Sequence, residues 1–299
     1  MLYYRRKILL ALLEVLGGKL TAKQLQKYLF LFTRQQSVKS FDFVPYYYGC
    51  FSFQANQDIA TMEKYGYLQI AEQNEIRFIQ LKQQGQYLQY LNMFDQEALR
   101  EIKTRFGNMS QDELIRYTYL KYPYYATKST IAVTLLTKDE LTKIEQQKRH
   151  YHEPRLFTIG YEGSSLEKYM NCLIINDVHV LCDVRKNAYS QKYGFSKSQL
   201  QKACEGVGIK YAHIPQLGIE SDKRQDLRSQ QDYDLLFDEY ERTTLKTNRE
   251  SLLYIRNIID SDKRVALTCF EKDPEQCHRS RVAKALMSLS DINYTLQLL

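Results

Sequence analysis

With 299 residues, 44% of them hydrophobic and 26% charged, the chain is long enough for two ordinary domains and too apolar for a disordered one. Its formal charge of +7 is unevenly placed: residues 1–150 carry 21 Lys and Arg against 14 Asp and Glu, whereas residues 151–299 carry 21 of each. No stretch approaches the roughly 20 apolar residues of a membrane span, and six Cys without regular framework spacing suit a reducing cytosol better than a disulfide scaffold, so a cytoplasmic location with no membrane partner is expected.

The start, basic to Lys7 and apolar from Ile8 to Leu13, has the outline of a signal peptide. Glu14 interrupts the apolar run and no small-residue cleavage site follows, so the segment is read as one amphipathic helix ended by Gly17-Gly18. Thr21-Ala22-Lys23-Gln24 is a capping box that opens a second helix to about Gln35, with Leu25, Tyr28, Leu29 and Phe32 on its core face. After a turn-rich stretch with Pro45 and Gly49, Ser52 caps a third helix that Gly66 stops. Two alternating runs, Tyr67 to Ala71 and Ile76 to Leu81, then read as a hairpin. Three helices followed by a hairpin is the order of a winged helix. Eight basic side chains within the first forty residues, against Glu14 as the one acid there, favour a phosphate backbone as partner. Arg5, Arg6, Lys23 and Lys27 are the expected nucleic-acid contacts, the alternative being a packing domain with a solvated basic face.

The words Leu25-Gln26-Lys27-Tyr28-Leu29-Phe30 and Phe43-Val44-Pro45-Tyr46-Tyr47-Tyr48-Gly49-Cys50-Phe51-Ser52 loosely resemble the antitoxin-associated Panacea-type domains and related winged-helix modules over about the first 120 residues. The resemblance implies contact with DNA or a protein partner. Residues 121–154, rich in Tyr and then in charge, read as a helical linker. With 25 Tyr, 13 Phe and no Trp, the chain has side chains suited to wet contact surfaces, and a homodimer is compatible with them.

From Arg155 short β-like runs alternate with helices: strands at 156–159, 178–184, 209–214 and 265–269, helices at 166–175, 197–204 and, broken in two, 232–259. Ser196-Lys197-Ser198-Gln199 reads as a further capping box. The alternation predicts an α/β fold class, a Rossmann-like parallel-sheet domain over 155–299. Ligands of such sheets sit beyond the carboxyl ends of the strands. Those ends deliver Gly160, Tyr161, Asp183, Arg185, His213, Cys269 and Glu271, with Cys277-His278-Arg279 opening the last helix.

Thr158-Ile159-Gly160-Tyr161, Cys182-Asp183-Val184-Arg185, the run Tyr211 to Gly218, and Cys269-Phe270-Glu271-Lys272-Asp273-Pro274 leading to Cys277-His278-Arg279 resemble the family labelled domain of unknown function 488, over about residues 155–290. The resemblance implies the fold and transfers no activity.

Arg185 and Arg279, with the amides of the last helix start, would suit an anion, the alternative being that Arg185 pairs with Asp183 or Glu271. Gly160, Tyr161, Arg185, His278 and Arg279 are therefore the expected ligand contacts. Asp183 and Glu271 are the expected acid/base carboxylates, and Cys277 at a helix start is the candidate nucleophile. Cys269 reads as a small apolar residue at a strand end. As zinc ligands, Cys269, Cys277 and His278 lack tight spacing and an obvious fourth partner, so neither metal nor cofactor is expected. The function expected is that of a nucleic-acid-associated protein: the first half contacts DNA, and the second binds or processes a phosphate-bearing nucleotide or DNA-end ligand, in genome defence or regulation. The alternatives are a hydrolase or transferase acting on a nucleotide, nucleoside or modified base, and a regulator that only senses its ligand.

Overall fold

A helix that is apolar on every side belongs inside a domain rather than on its surface. In α1 (Tyr4–Val15) the six residues Ile8 to Leu13 are each 0% exposed, so the segment expected to be amphipathic is a central helix with a basic first turn. The computed structural model describes residues 2–220, 222–224, 227–289 and 294–299, and the chain divides into two compact units between Lys148 and Arg149.

In the first unit, β1 (Lys19–Thr21) leads into α2 (Ala22–Thr33), whose start is the expected capping box of Thr21 and Gln24. A two-stranded hairpin follows, β2 (Val44–Tyr46) against β3 (Gly49–Phe51), where the sequence had suggested only turns. Ser52 then caps α3 (Phe53–Lys64), its hydroxyl accepting from the Ala55 amide at 3.2 Å. The strands β4 (Leu68–Gln73) and β5 (Ile76–Leu81) form the expected hairpin, and β5 also pairs with β1, giving a three-stranded antiparallel sheet in the order β1-β5-β4.

Lys27 stands on the inner face of α2, 1% exposed, with its ammonium donating to the carbonyls of Tyr48 at 2.5 Å and Cys50 at 3.2 Å. Burial pushes that ammonium below the ordinary lysine value. This lysine ties the β2–β3 hairpin to α2 and does not reach a DNA backbone, contrary to the expectation from sequence. Arg5 and Arg6 both pair with Asp58, which is fully buried, at 2.5 and 2.7 Å. They are thus partly occupied in holding α1 against α3.

Residues 93–148 continue the same unit. The helices α4 (Met93–Phe106), α5 (Gln111–Lys121), α6 (Ala132–Leu135) and α7 (Lys138–Glu145) follow, and Ile115, Tyr119, Ala126, Ala132, Leu136 and Ile144 gather into a small core of their own. Arg116 and Glu140 close this subcore with two hydrogen bonds, 2.7 and 2.5 Å, which hold the Glu140 carboxyl down at about 2. The segment read as a linker to residue 154 therefore carries packed helices as far as Glu145.

The second unit is a five-stranded parallel sheet in the order β10-β6-β9-β7-β8. Its elements are β6 (Arg155–Gly160), α8 (Leu166–Ile175), β7 (Val180–Asp183), α9 (Lys197–Glu205), β8 (Lys210–His213), α10 (Gln230–Tyr240), α11 (Arg249–Asp262), β9 (Arg264–Cys269), α12 (His278–Met287) and β10 (Thr295–Leu298). Strand β9 is buried along its whole length between β6 and β7, as a central parallel strand covered on both faces must be. The edge strand β10, four residues paired in parallel with β6, lies outside the expected pattern. At α9 the expected capping box is not made: Ser196 exchanges hydrogen bonds with Ser190, and Gln199 accepts from the Gly194 amide.

Candidate functional site at the strand ends

The register of a parallel sheet decides which side chains emerge together. Gly160 lies opposite Cys269, and Asp183 lies opposite both His213 and Thr268, so β6, β7, β8 and β9 end nearly level. The four strand-end positions expected from sequence share one edge of the sheet. Beyond that edge lies a cleft of about 310 Å³ lined by Tyr161, Arg185, Lys186, Asn187, Tyr189, Arg224, Cys269, Phe270, Glu271 and His278 among others.

Beside the cleft floor is a closed polar lattice. Asp183 is 0% exposed and Arg185 5% exposed. The Arg185 guanidinium donates to both Asp183 oxygens, Nε to Oδ1 at 2.8 Å and Nη2 to Oδ2 at 2.5 Å. Its Nη1 reaches the Tyr161 hydroxyl at 2.8 Å and the Phe195 carbonyl at 2.9 Å. The Tyr211 hydroxyl donates to Asp183 Oδ2 at 2.6 Å, and His213 Nε2 meets the Arg185 carbonyl at 2.9 Å. Burial works against the Arg185 charge, but the Asp183 carboxylate raises the guanidinium further above its usual value. Burial, reinforced by the same carboxylate, also raises the Tyr211 phenol. Tyr161 stacks flat on Phe195, centroids 4.2 Å apart. The Asp183 carboxylate is thus committed to structure, as is the Arg185 guanidinium.

Arg279, the other expected anion contact, is 3% exposed and turns back on its own loop, donating to the carbonyls of Glu271 at 2.5 Å and Lys272 at 3.1 Å. It fixes the turn between β9 and α12. Two cations that sequence reasoning passed over line the cleft together with Arg185. Lys186 forms a largely exposed pair with Glu220 at 2.7 Å, and Arg224 pairs with Glu271.

The reactive cluster forms where β9 ends and α12 begins. Cys269 Sγ lies 3.2 Å from Glu271 Oε2 and 3.7 Å from His278 Nδ1. Cys277, the residue before α12, is fully buried and belongs to the same group, with Cys269, Cys277 and His278 offering ligand atoms within 4.8 Å of one another. Burial opposes ionisation of Cys269, yet the Cys277 thiol, the His278 ring and Arg224 together hold its thiol well below the ordinary range. Burial and the adjacent Cys269 push Cys277 well above it. Burial works against a charge on His278, but the neighbouring thiolate raises its ring; burial and that thiolate raise the Glu271 carboxyl, with Arg224 opposing.

Cys269 is buried, 0% exposed, as its reading as core expects, but it also borders the cleft floor, whereas Cys277, read as the nucleophile, is equally buried and does not line the cleft. Both thiols and His278, weighed in the sequence as one ligand set and put aside for their wide spacing, are brought together by a strand end and a helix start. Glu271 stands beside them, its Oε2 3.2 Å from Cys269 Sγ.

Close backbone approach makes two positions next in sequence to cleft-lining residues specific for glycine. A Cβ on Gly160 would stand 1.9 Å from the Glu271 carbonyl oxygen, and one on Gly218 would stand 2.0 Å from the Lys186 nitrogen. Gly160→Ala must therefore push the 270–272 turn away from β6, at a cost of about 1–3 kcal/mol. Urea denaturation should register that loss, and alkylation of Cys269 should change in rate because its neighbours Glu271 and Arg224 move. Unchanged stability together with unchanged alkylation would refute the tight approach.

The family described as Domain of unknown function DUF488 is matched over residues 165–286, from the residue that caps α8 to the last turn of α12. No curated protein and no solved structure matches the chain. The matched span carries Asp183, Arg185, Cys269, Glu271, Cys277, His278 and Arg279, and the part of this chain that resembles a known family therefore supplies most of the strand-end cleft, Tyr161 after β6 lying outside it.

Proposed function

We propose that the chain is a nucleic-acid-associated protein whose second unit binds and processes a phosphate-bearing nucleotide or DNA-end ligand in the strand-end cleft. The composition of that cleft carries the reading. Its floor brings together a thiol, a carboxyl and an imidazole, from Cys269, Glu271 and His278. On its walls Tyr189 is 72% exposed and Phe270 41% exposed, offering aromatic faces on which a base can stack, and Asn187 adds an amide that can donate and accept. Lys186 and Arg224 supply the positive end. The exposed Lys186–Glu220 pair is a weak one, so an incoming phosphate can displace Glu220. In this reading the phosphate contacts are Lys186 and Arg224, while Arg185 and Arg279 hold the walls in place. Processing, as opposed to sensing, is favoured by a reactive floor that phosphate recognition does not require.

Calorimetric titration of the full chain with nucleoside 5′-monophosphates and with a short 5′-phosphorylated DNA tests this reading. Lys186→Ala and Arg224→Ala should each weaken binding about tenfold, the loss of one charge-assisted contact. Binding that is absent, or that survives both substitutions unchanged, would sink it.

A winged-helix role for the first unit, with DNA as its partner, is supported by the order of its elements, in which a helix, a strand and two further helices precede a hairpin paired to β1, with the small β2–β3 hairpin inserted between the second and third helices. Exposed Lys19 on β1 and Arg77 on β5, with half-buried Lys23 at the start of α2, are the basic side chains best placed for phosphate contact, while Lys27 is withdrawn. In fluorescence anisotropy with duplex DNA, the full chain should bind with a steep salt dependence. Its slope should fall by roughly 1 for each of Lys19, Lys23 and Arg77 changed to Ala. Salt-independent binding, or none at low ionic strength, would leave the DNA reading without foundation.

A further inference from the structure

The group formed by Cys269, Cys277 and His278 has the geometry of a metal site, and we propose that it holds a single zinc-class divalent cation on two thiolates and one imidazole. In a tetrahedral zinc site with metal–sulfur bonds near 2.3 Å and metal–nitrogen bonds near 2.0 Å, neighbouring ligand atoms stand about 3.5–3.8 Å apart. Cys269 Sγ and His278 Nδ1 are 3.7 Å apart, and all three ligand atoms lie within 4.8 Å of one another. The three residues are buried, so the site is held by the packed interior.

A second, independent feature concerns the imidazole. His278 Nε2 lies 2.9 Å from the Val184 carbonyl, an acceptor, so that nitrogen carries the proton and donates it. Nδ1 is then the nitrogen on the side where Cys269 lies, and a cation that displaces its proton takes up its lone pair there. Fixing a ligand histidine through its far nitrogen is the usual supporting arrangement of a metal site. Soft thiolates with an imidazole select zinc-class ions over magnesium or calcium. The ligands also sit on ordered elements, since Cys269 ends β9 and Cys277-His278 opens α12.

Three protein ligands leave a fourth position. Cys269, His278 and Glu271 line the cleft, and Glu271 Oε2 is 3.2 Å from Cys269 Sγ while its other oxygen pairs with Arg224. The fourth position thus opens towards the cleft, with Glu271 beside it, as in zinc sites that keep a place for water or substrate. Assigning this ion to hydrolysis of the bound ligand rests on the reading of the cleft given above; the metal site itself stands on its own geometry.

The full chain, purified from a zinc-supplemented culture, should carry about one zinc per molecule by elemental analysis. After chelation and refilling with Co2+, it should show the intense thiolate-to-cobalt absorption of a tetrahedral site. Cys269→Ser or Cys277→Ser should lower that absorption by roughly half or abolish loading. Because either variant can fail to fold, the cobalt spectrum of the unaltered chain is decisive. A chain that retains no zinc and gives only the pale spectrum of hydrated cobalt, with its thiols free or joined in a disulfide, overturns the site. Calorimetry with nucleoside 5′-monophosphates on zinc-loaded and stripped chain separates the two claims. Metal loading without nucleotide binding removes the cleft reading alone, and nucleotide binding without metal loading removes the metal alone.

Discussion

One buried ion pair organises the second unit. Asp183 and Arg185 are two residues apart at the end of a parallel strand, nearly inaccessible to water, and joined by a fork of hydrogen bonds. An unpaired charge at that depth would be prohibitively unstable, so each residue is tolerated only because the other is present. The remaining donors of the guanidinium then capture Tyr161 at the end of β6 and the Phe195 carbonyl ahead of α9, and the carboxylate captures Tyr211 on β8. Three strand ends and the 186–195 loop are in this way referred to one point.

That lattice determines where chemistry can occur. Arg185 spends most of its donors on Asp183, the Tyr161 hydroxyl and the Phe195 carbonyl, and Arg279 spends both of its Nη groups on the carbonyls of Glu271 and Lys272, leaving its buried Nε without a partner among the described residues. Arg279 instead fixes the turn after Cys269 from the side of α12, while the Tyr161 and Glu162 amides donate to the Phe270 carbonyl and hold that turn at the end of β6, with Gly160 as the one residue type that permits the approach. Reactive groups are therefore displaced by one strand, onto β9 and the start of α12. There two thiols and an imidazole share a dry space that favours a single ionised thiol or a bound cation over two neutral thiols.

Much of the architecture could be read from local signals, since the capping residues Thr21 and Ser52, the β4–β5 hairpin and the strand-helix alternation after Arg155 are all decided by neighbours in sequence. The strand ends were also legible, because parallel sheets place them together. What could not be read depends on contacts between distant segments. Lys27 looks like a surface lysine until the β2–β3 hairpin, some twenty residues on, folds over it and supplies two carbonyls. The apolar stretch of α1 looks amphipathic until α4 and the β-sheet close around it. The meeting of Cys269 with Cys277 and His278 has the same origin, for a strand-end cysteine is ordinarily core, as this one is, and only the return of α12 gives it a histidine.

The claim on which this account turns is that Asp183 and Arg185 act as one structural unit rather than as separate ligand contacts. A double-mutant cycle with Asp183→Asn and Arg185→Gln, read by urea denaturation of the full chain, tests it most directly. The account predicts that either substitution removes nearly as much stability as both together, giving a coupling energy at the top of the range of about 0.5–3 kcal/mol found for residues in one network. Two losses that simply add would contradict it, since the pair would then not be what holds the strand ends in place.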